Sequence, residues 1–168
     1  MPRARFQRHI RHAPDDLLDL VADVERYPEF IKFISALRLT KRVSEDEFEA
    51  EAIIAYKMLR EAFRSDVKID RKARTIAVTK AQKGGALKTL TNDWVFYELS
   101  DGSTLIDFSV DVSLKVFLLN RLIASKMDKA ADIIMGAFER RAAQICKPMG
   151  QGNIDLEAER VRLGIAIK

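Results

Sequence analysis

Polar side chains set in otherwise apolar rows are where this chain could touch a ligand. In three stretches of alternating residues, Tyr56, Ser65 and Asn92 share a row with Phe48, Phe63 and Trp94. A phenol, a hydroxyl and an amide can hydrogen-bond a carbonyl or ether oxygen, but they are poorly suited to acid/base turnover. Asn92 is the most telling of the three. A buried amide without partners costs roughly 1 to 3 kcal/mol, so it requires either a ligand or a backbone group. No Ser-His-Asp set, inward carboxylate pair or phosphate-cradling loop accompanies them, and Gly84-Gly85 lacks the flanking pattern of a nucleotide loop. Cys146 is the single cysteine, with His9 and His12 far away in sequence, so neither a disulfide nor a metal cluster is expected. The expectation is a binding site with no catalytic residue, no metal and no cofactor.

The elements that must position these residues follow from periodicity. From Val116 to Cys146, Leu119, Ile123, Met127, Ala130, Ile134 and Phe138 recur at helical spacing, giving a helix roughly 45 Å long. Before it, period-two stretches predict strands at Leu37 to Val43, Phe48 to Met58, Glu61 to Ile69, Thr75 to Lys80, Leu87 to Leu99 and Thr104 to Leu114. A first edge strand ends at Ile10, making seven strands, and short turns make them antiparallel. Pro14-Asp15-Asp16 starts a short helix that Tyr27-Pro28 ends, and a second short helix is expected from Glu29 to Ser35. One helix cannot fill the concave face of such a sheet, so a cavity is expected between them. The partly alanine row of Ala50 and Ala52 leaves room for it.

With 168 residues, 48% hydrophobic and 32% charged, the composition is that of a soluble globular chain. No apolar run is long enough to span a bilayer. The net charge of +4 mildly favours anionic partners such as phospholipid surfaces or RNA. The boundaries read as one lipid-binding domain over 1–149 and a tail of uncertain order over 150–168.

Three separated motifs carry a family resemblance. Val21-Ala22-Asp23-Val24-Glu25-Arg26-Tyr27-Pro28-Glu29-Phe30, Leu90-Thr91-Asn92-Asp93-Trp94-Val95-Phe96 and Ala137-Phe138-Glu139-Arg140-Arg141-Ala142 resemble the coenzyme Q-binding protein (Coq10) family. That family lies in the START-like, polyketide cyclase superfamily, with a bacterial branch of RatA-type toxins. The resemblance implies an α+β helix-grip fold, START/Bet v 1-like, in which a seven-stranded curved antiparallel sheet is gripped by the long C-terminal helix. It implies a non-catalytic carrier of ubiquinone or a similar prenylated lipid that supports respiratory electron transport. The ligand-binding set is then Tyr56, Phe63, Ser65, Asn92, Trp94, Phe96, Phe108, Val110, Ile134 and Phe138, for which ordinary core packing is the plain alternative.

A second set, Tyr27, Phe30, Ile31, Phe33 and Ile34, is more apolar than one face of a short helix needs. It is expected to form a lid or a membrane-touching patch near Lys32, Arg38, Lys41 and Arg42, the alternative being packing against the long helix. The alternatives in function are a ribosome-association inhibitor, as in the RatA branch, and a polyketide cyclase or aromatase. A bacterial protein without a leader is expected, cytoplasmic or peripheral at the inner face of the inner membrane. DNA is not an expected partner.

Overall fold

Alternating apolar and charged residues produce seven strands: β1 (Arg3–Ile10), β2 (Ile34–Ser44), β3 (Glu47–Tyr56), β4 (Leu59–Asp70), β5 (Thr75–Lys80), β6 (Leu87–Glu98) and β7 (Thr104–Leu114). The computed structural model describes residues 3–56, 59–81 and 86–165. The side chains of Tyr56 and Leu59, the Met58 end expected for the third strand and the Gly84-Gly85 connection lie outside the described residues. All seven strands join one antiparallel sheet in the order β1-β7-β6-β5-β4-β3-β2. The opposite edges are therefore consecutive in sequence. α1 (Pro14–Ala22) and a 3-10 helix (Val24–Glu29) connect them, while α2 (Phe117–Ile145) packs along the sheet. This is the expected helix-grip arrangement.

The second short helix is not formed. The 3-10 helix occupies Val24–Glu29 with Pro28 inside it, and β2 already begins at Ile34, which pairs with Ile54 of β3. Backbone pairing to β3 gives this segment hydrogen bonds that an isolated turn of helix could not match. Three register shifts along β2 bend this edge of the sheet.

Charged side chains fasten α2 across the assembly. Arg8 of β1 reaches Asp132 and Glu139, and Arg141 donates to Glu29 at 3.0 Å while its guanidinium sits 5.3 Å from the centre of the Phe30 ring. Such partly exposed pairs each contribute under about 1 kcal/mol. They orient the helix more than they hold it. Burial of Trp94, Phe96, Ile106, Phe108, Met135 and Phe138 holds it.

The weakly patterned tail forms α3 (Leu156–Leu163). Asp155 caps it by accepting from the Ala158 amide at 3.2 Å, and Gly164 ends it at φ 69°, a left-handed conformation that favours glycine. Glu159, buried, accepts from the Ser100 amide and pairs with Arg162 at 3.1 Å, and Arg160 donates to Gln7 at 2.8 Å. These bonds tie α3 to β1 and to the β6–β7 turn. The Arg162 guanidinium and the Ser100 amide lower the Glu159 carboxyl from 4.5 to about 2. Because the folded value lies below the unfolded one, the stabilisation is complete above pH 4.5 and is lost as pH falls toward 2. Glu159→Gln should therefore loosen α3 at neutral pH, read as faster hydrogen exchange at the Ser100 amide. The wild-type amide should lose protection over the same acid range.

Candidate functional site

Between α2 and the sheet lies a cavity of about 270 Å³. The strands supply Ala50 and Ala52 from β3, Phe63, Ser65 and Val67 from β4, Ile76 and Val78 from β5, Leu90, Asn92 and Trp94 from β6, and Phe108 and Val110 from β7. α2 supplies Met127, Ala130, Ala131, Ile134 and Phe138. The remaining wall comes from Val21, Val24, Tyr27, Ile31, Ile34 and Leu37. Alternation explains the contribution of each strand. Alanines at 50, 52, 130 and 131 leave the space that larger side chains would fill.

Aromatic rings stiffen the floor. Trp94 stands edge-on to Phe108 at 4.7 Å and to Phe138 at 5.4 Å, and Tyr27 meets Phe138 edge-on at 5.2 Å. Phe6 stacks on the far side of Phe108 at 5.0 Å. Ring packing of this kind fixes the side chains that bound the void.

The polar groups of the lining are almost all committed. Trp94 Nε1 donates to Asn92 Oδ1 at 3.0 Å, and Asn92 Nδ2 donates to the Ser109 carbonyl at 2.9 Å. The Tyr27 hydroxyl donates to the Val21 carbonyl, and burial pushes its pKa well above the usual phenol value. Ser65 differs: among the described residues its hydroxyl makes no side-chain hydrogen bond. No Arg, Lys, His, Asp or Glu lines the cavity among the described residues. Nor do His, Cys, Asp or Glu side chains gather there into a set of metal ligands.

Eight of the ten residues expected at the ligand site meet around this one space: Phe63, Ser65, Asn92, Trp94, Phe108, Val110, Ile134 and Phe138. Phe96 does not. It is fully buried and lies parallel to Trp94 at 6.0 Å, two residues nearer the end of β6 and outside the lining of the cavity. Alternation gives the face of Phe96 but not how far along the strand the cavity extends. The Tyr56 side chain lies outside the described residues.

The lid set folds inward. Ile31 and Ile34 are buried, Tyr27, Phe30 and Phe33 are half-buried, and the Phe30 ring stands edge-on to Phe138 at 5.3 Å. Tyr27, Ile31 and Ile34 are wall rather than exposed patch, because β2 pairing and the rings of α2 cover them. Val21, Val24, Leu37, Val67, Ile76, Val78, Leu90, Met127, Ala130 and Ala131 line it as well and belong to neither expected set. The alternation of Ile76 and Val78 was the available signal for β5.

A surface depression between α1 and the end of α2 is lined by Asp16, Asp19, Asp23, Arg26, Arg141 and Cys146. Asp19, Asp23 and Arg26 are more than half exposed whereas Arg141 is mostly buried beside Glu29, and burial, with Asp16 and Asp19 nearby, pushes the Cys146 thiol up, away from the reactive thiolate.

Residues 10–139 match the family model described as polyketide cyclase / dehydrase and lipid transport. The ribosome association toxin RatA of Rickettsia prowazekii is 28% identical over 142 residues, covering 81% of this chain and 92% of that protein. The mitochondrial coenzyme Q-binding protein COQ10 of Drosophila melanogaster is 26% identical over 132 residues, covering 77% of this chain and 53% of its own length. Among solved structures, an 18 kDa protein of Caulobacter crescentus is 33% identical with a TM-score of 0.71, covering 86% of this chain and 98% of that one.

Proposed function

The chain belongs to the polyketide cyclase / dehydrase and lipid transport family, and on that premise we propose that its cavity carries a prenylated lipid, ubiquinone or a close analogue, without transforming it. The observation that carries this reading is an apolar cavity in which, among the described residues, Ser65 is the polar side chain that makes no side-chain hydrogen bond. Such a lining stabilises a hydrocarbon chain by roughly 0.8 kcal/mol per buried methylene and offers one donor to a quinone carbonyl. A space of about 270 Å³ is near the low end of the roughly 300–1,000 Å³ of small-molecule sites. The head group and the first part of a prenyl chain would sit inside and the remainder outside. The name of the Drosophila relative supports the choice of a quinone.

A lining without acid, base or metal ligands among the described residues favours carriage over cyclisation. Tyr27 is held protonated and bonded to a backbone carbonyl, which removes it as a general base. Trp94 is the single tryptophan and borders the cavity. Titration with a short-chain ubiquinone in detergent should therefore quench its emission saturably. Ser65→Ala should weaken that binding by roughly 2- to 13-fold, the worth of one hydrogen bond. It should leave the affinity for a simple prenyl alcohol far less changed. Equal losses for both ligands would remove Ser65 as the head-group anchor.

A second reading is favoured by the RatA relatives, namely a factor that binds ribosomal subunits. RNA contact needs cations free to meet phosphates, and many arginines of the sheet are already paired. Arg3 meets Asp111, Arg5 meets Asp107, Arg38 and Arg64 share Glu51, and Arg74 bridges Asp15 and Glu98. Sedimentation with isolated subunits at moderate salt decides this reading, and failure to co-sediment removes it.

A further inference from the structure

Among the described residues, the largest sequence cluster of exposed apolar side chains is at the start of α2. Val116, Phe117, Leu118 and Leu122 are 51%, 70%, 74% and 36% exposed. Single exposed leucines are ordinary, but four large apolar residues within seven positions on one helix end are not. Helical spacing places Phe117, Leu118, Arg121, Leu122 and Lys129 on the outward side of the first turns, whereas Leu119, Ile123 and Met127 turn inward and pack against the core. One short length of helix thus covers the core with one side and offers apolar groups to its surroundings with the other.

The charges of this helix tip are mostly positive. Lys115, Arg121, Lys126 and Lys129 surround it, and Asp128 is the only acid between positions 115 and 129. Among the described residues none of the four cations takes part in an ion pair, unlike Arg8 and Arg141 farther along the same side of the molecule. The first turn of α2 carries no acidic residue. A second copy of this chain would bring the same cations face to face across a two-fold axis. An anionic phospholipid surface complements both features at once, accepting the apolar side chains among its acyl chains and the cations at its phosphates.

We propose that the start of α2, centred on Phe117, Leu118, Arg121 and Leu122, is a docking surface for anionic membranes. Helix α2 continues from this surface to Met127, the first of its residues to line the cavity. A lipid leaving the bilayer would therefore meet the gripping helix at its membrane end. That loading route rests on the carrier reading above, but docking itself does not require a quinone.

The test is flotation of the full chain, without quinone, with vesicles of phosphatidylcholine alone or of phosphatidylcholine with phosphatidylglycerol. Binding to the anionic vesicles is expected to exceed that to neutral ones by roughly tenfold and to fall with salt. The double variant Phe117→Ser and Leu118→Ser should lower it by at least about tenfold. Arg121→Glu should lower binding to the anionic vesicles alone. In detergent, both variants should keep the wild-type Trp94 response to short-chain ubiquinone, which shows that the fold is intact. Equal flotation of wild type and double variant overturns the proposal. So does a dimer in lipid-free buffer that the double variant dissociates, since a second copy would then be the occupant. Flotation that persists without any quinone response would leave the docking surface standing and reject the cavity's proposed ligand.

Discussion

Ala52→Phe is expected to abolish quinone binding while leaving the protein folded. Ala52 sits on β3 opposite Phe63 of β4 and Leu37 of β2, and its methyl group faces the cavity. A phenyl ring there would enter existing space of about 270 Å³ rather than a packed region. The strain of overpacking should consequently stay under about 1.5 kcal/mol. The ligand, by contrast, loses the room its head group needs, so affinity should fall on the order of 100-fold or more. Trp94 titration with short-chain ubiquinone reads the loss, and urea unfolding reads the stability. Unchanged affinity would mean that the ligand binds elsewhere.

Phe138→Ala should do the reverse and damage stability first. Phe138 is 3% exposed and meets the rings of Tyr27, Phe30 and Trp94, so it joins the 3-10 helix, the lid segment, β6 and α2 in one cluster. Truncating a buried phenylalanine typically costs about 3–5 kcal/mol. One side of this ring faces the cavity rather than packed atoms, which places the expected loss near 3 kcal/mol. The urea midpoint should fall by more than about 1 M. A loss below about 1 kcal/mol would show that the cluster does not clamp α2 to the sheet. Comparison with Ala52→Phe separates the two roles of the site, since one variant removes space and the other removes support.

The strands were legible because their two faces differ so sharply. β7 alternates Ile106, Phe108, Val110 and Val112 against Asp107, Ser109 and Asp111, so a one-residue slip would turn both carboxylates toward the apolar core and away from Arg5 and Arg3. The cavity was legible in outline from Ala50 and Ala52. What alternation could not supply was position along a strand. Phe96 shares its face with Trp94 yet lies outside the cavity, and nothing local to β6 encodes where the cavity ends.

Asn92 shows a second limit. Its type and face signal a buried amide, but its partners, Trp94 two residues on and the Ser109 carbonyl across the ladder, depend on tertiary placement. Among the described residues of the expected set, the hydroxyl without a side-chain hydrogen bond is that of Ser65. Phe30-Ile31-Lys32-Phe33-Ile34 misled because an apolar run of this length fits a helix turn or a strand end equally well, and pairing of Ile34 with Ile54 decided the matter. The apolar start of α2 was hidden in the same way. Val116 to Leu119 reads as a continuous part of the helix's stripe until the fold shows that Val116, Phe117 and Leu118 stay uncovered.

Carriage of a prenyl-quinone is tested most directly by native mass spectrometry with lipid extraction on the full chain, purified without detergent from a host that makes ubiquinone. The predicted result is a quinone bound at one per chain in the wild type and absent from Ala52→Phe. An empty wild-type chain whose Trp94 emission is also unchanged on adding quinone would contradict carriage, and the subunit sedimentation experiment would then take its place.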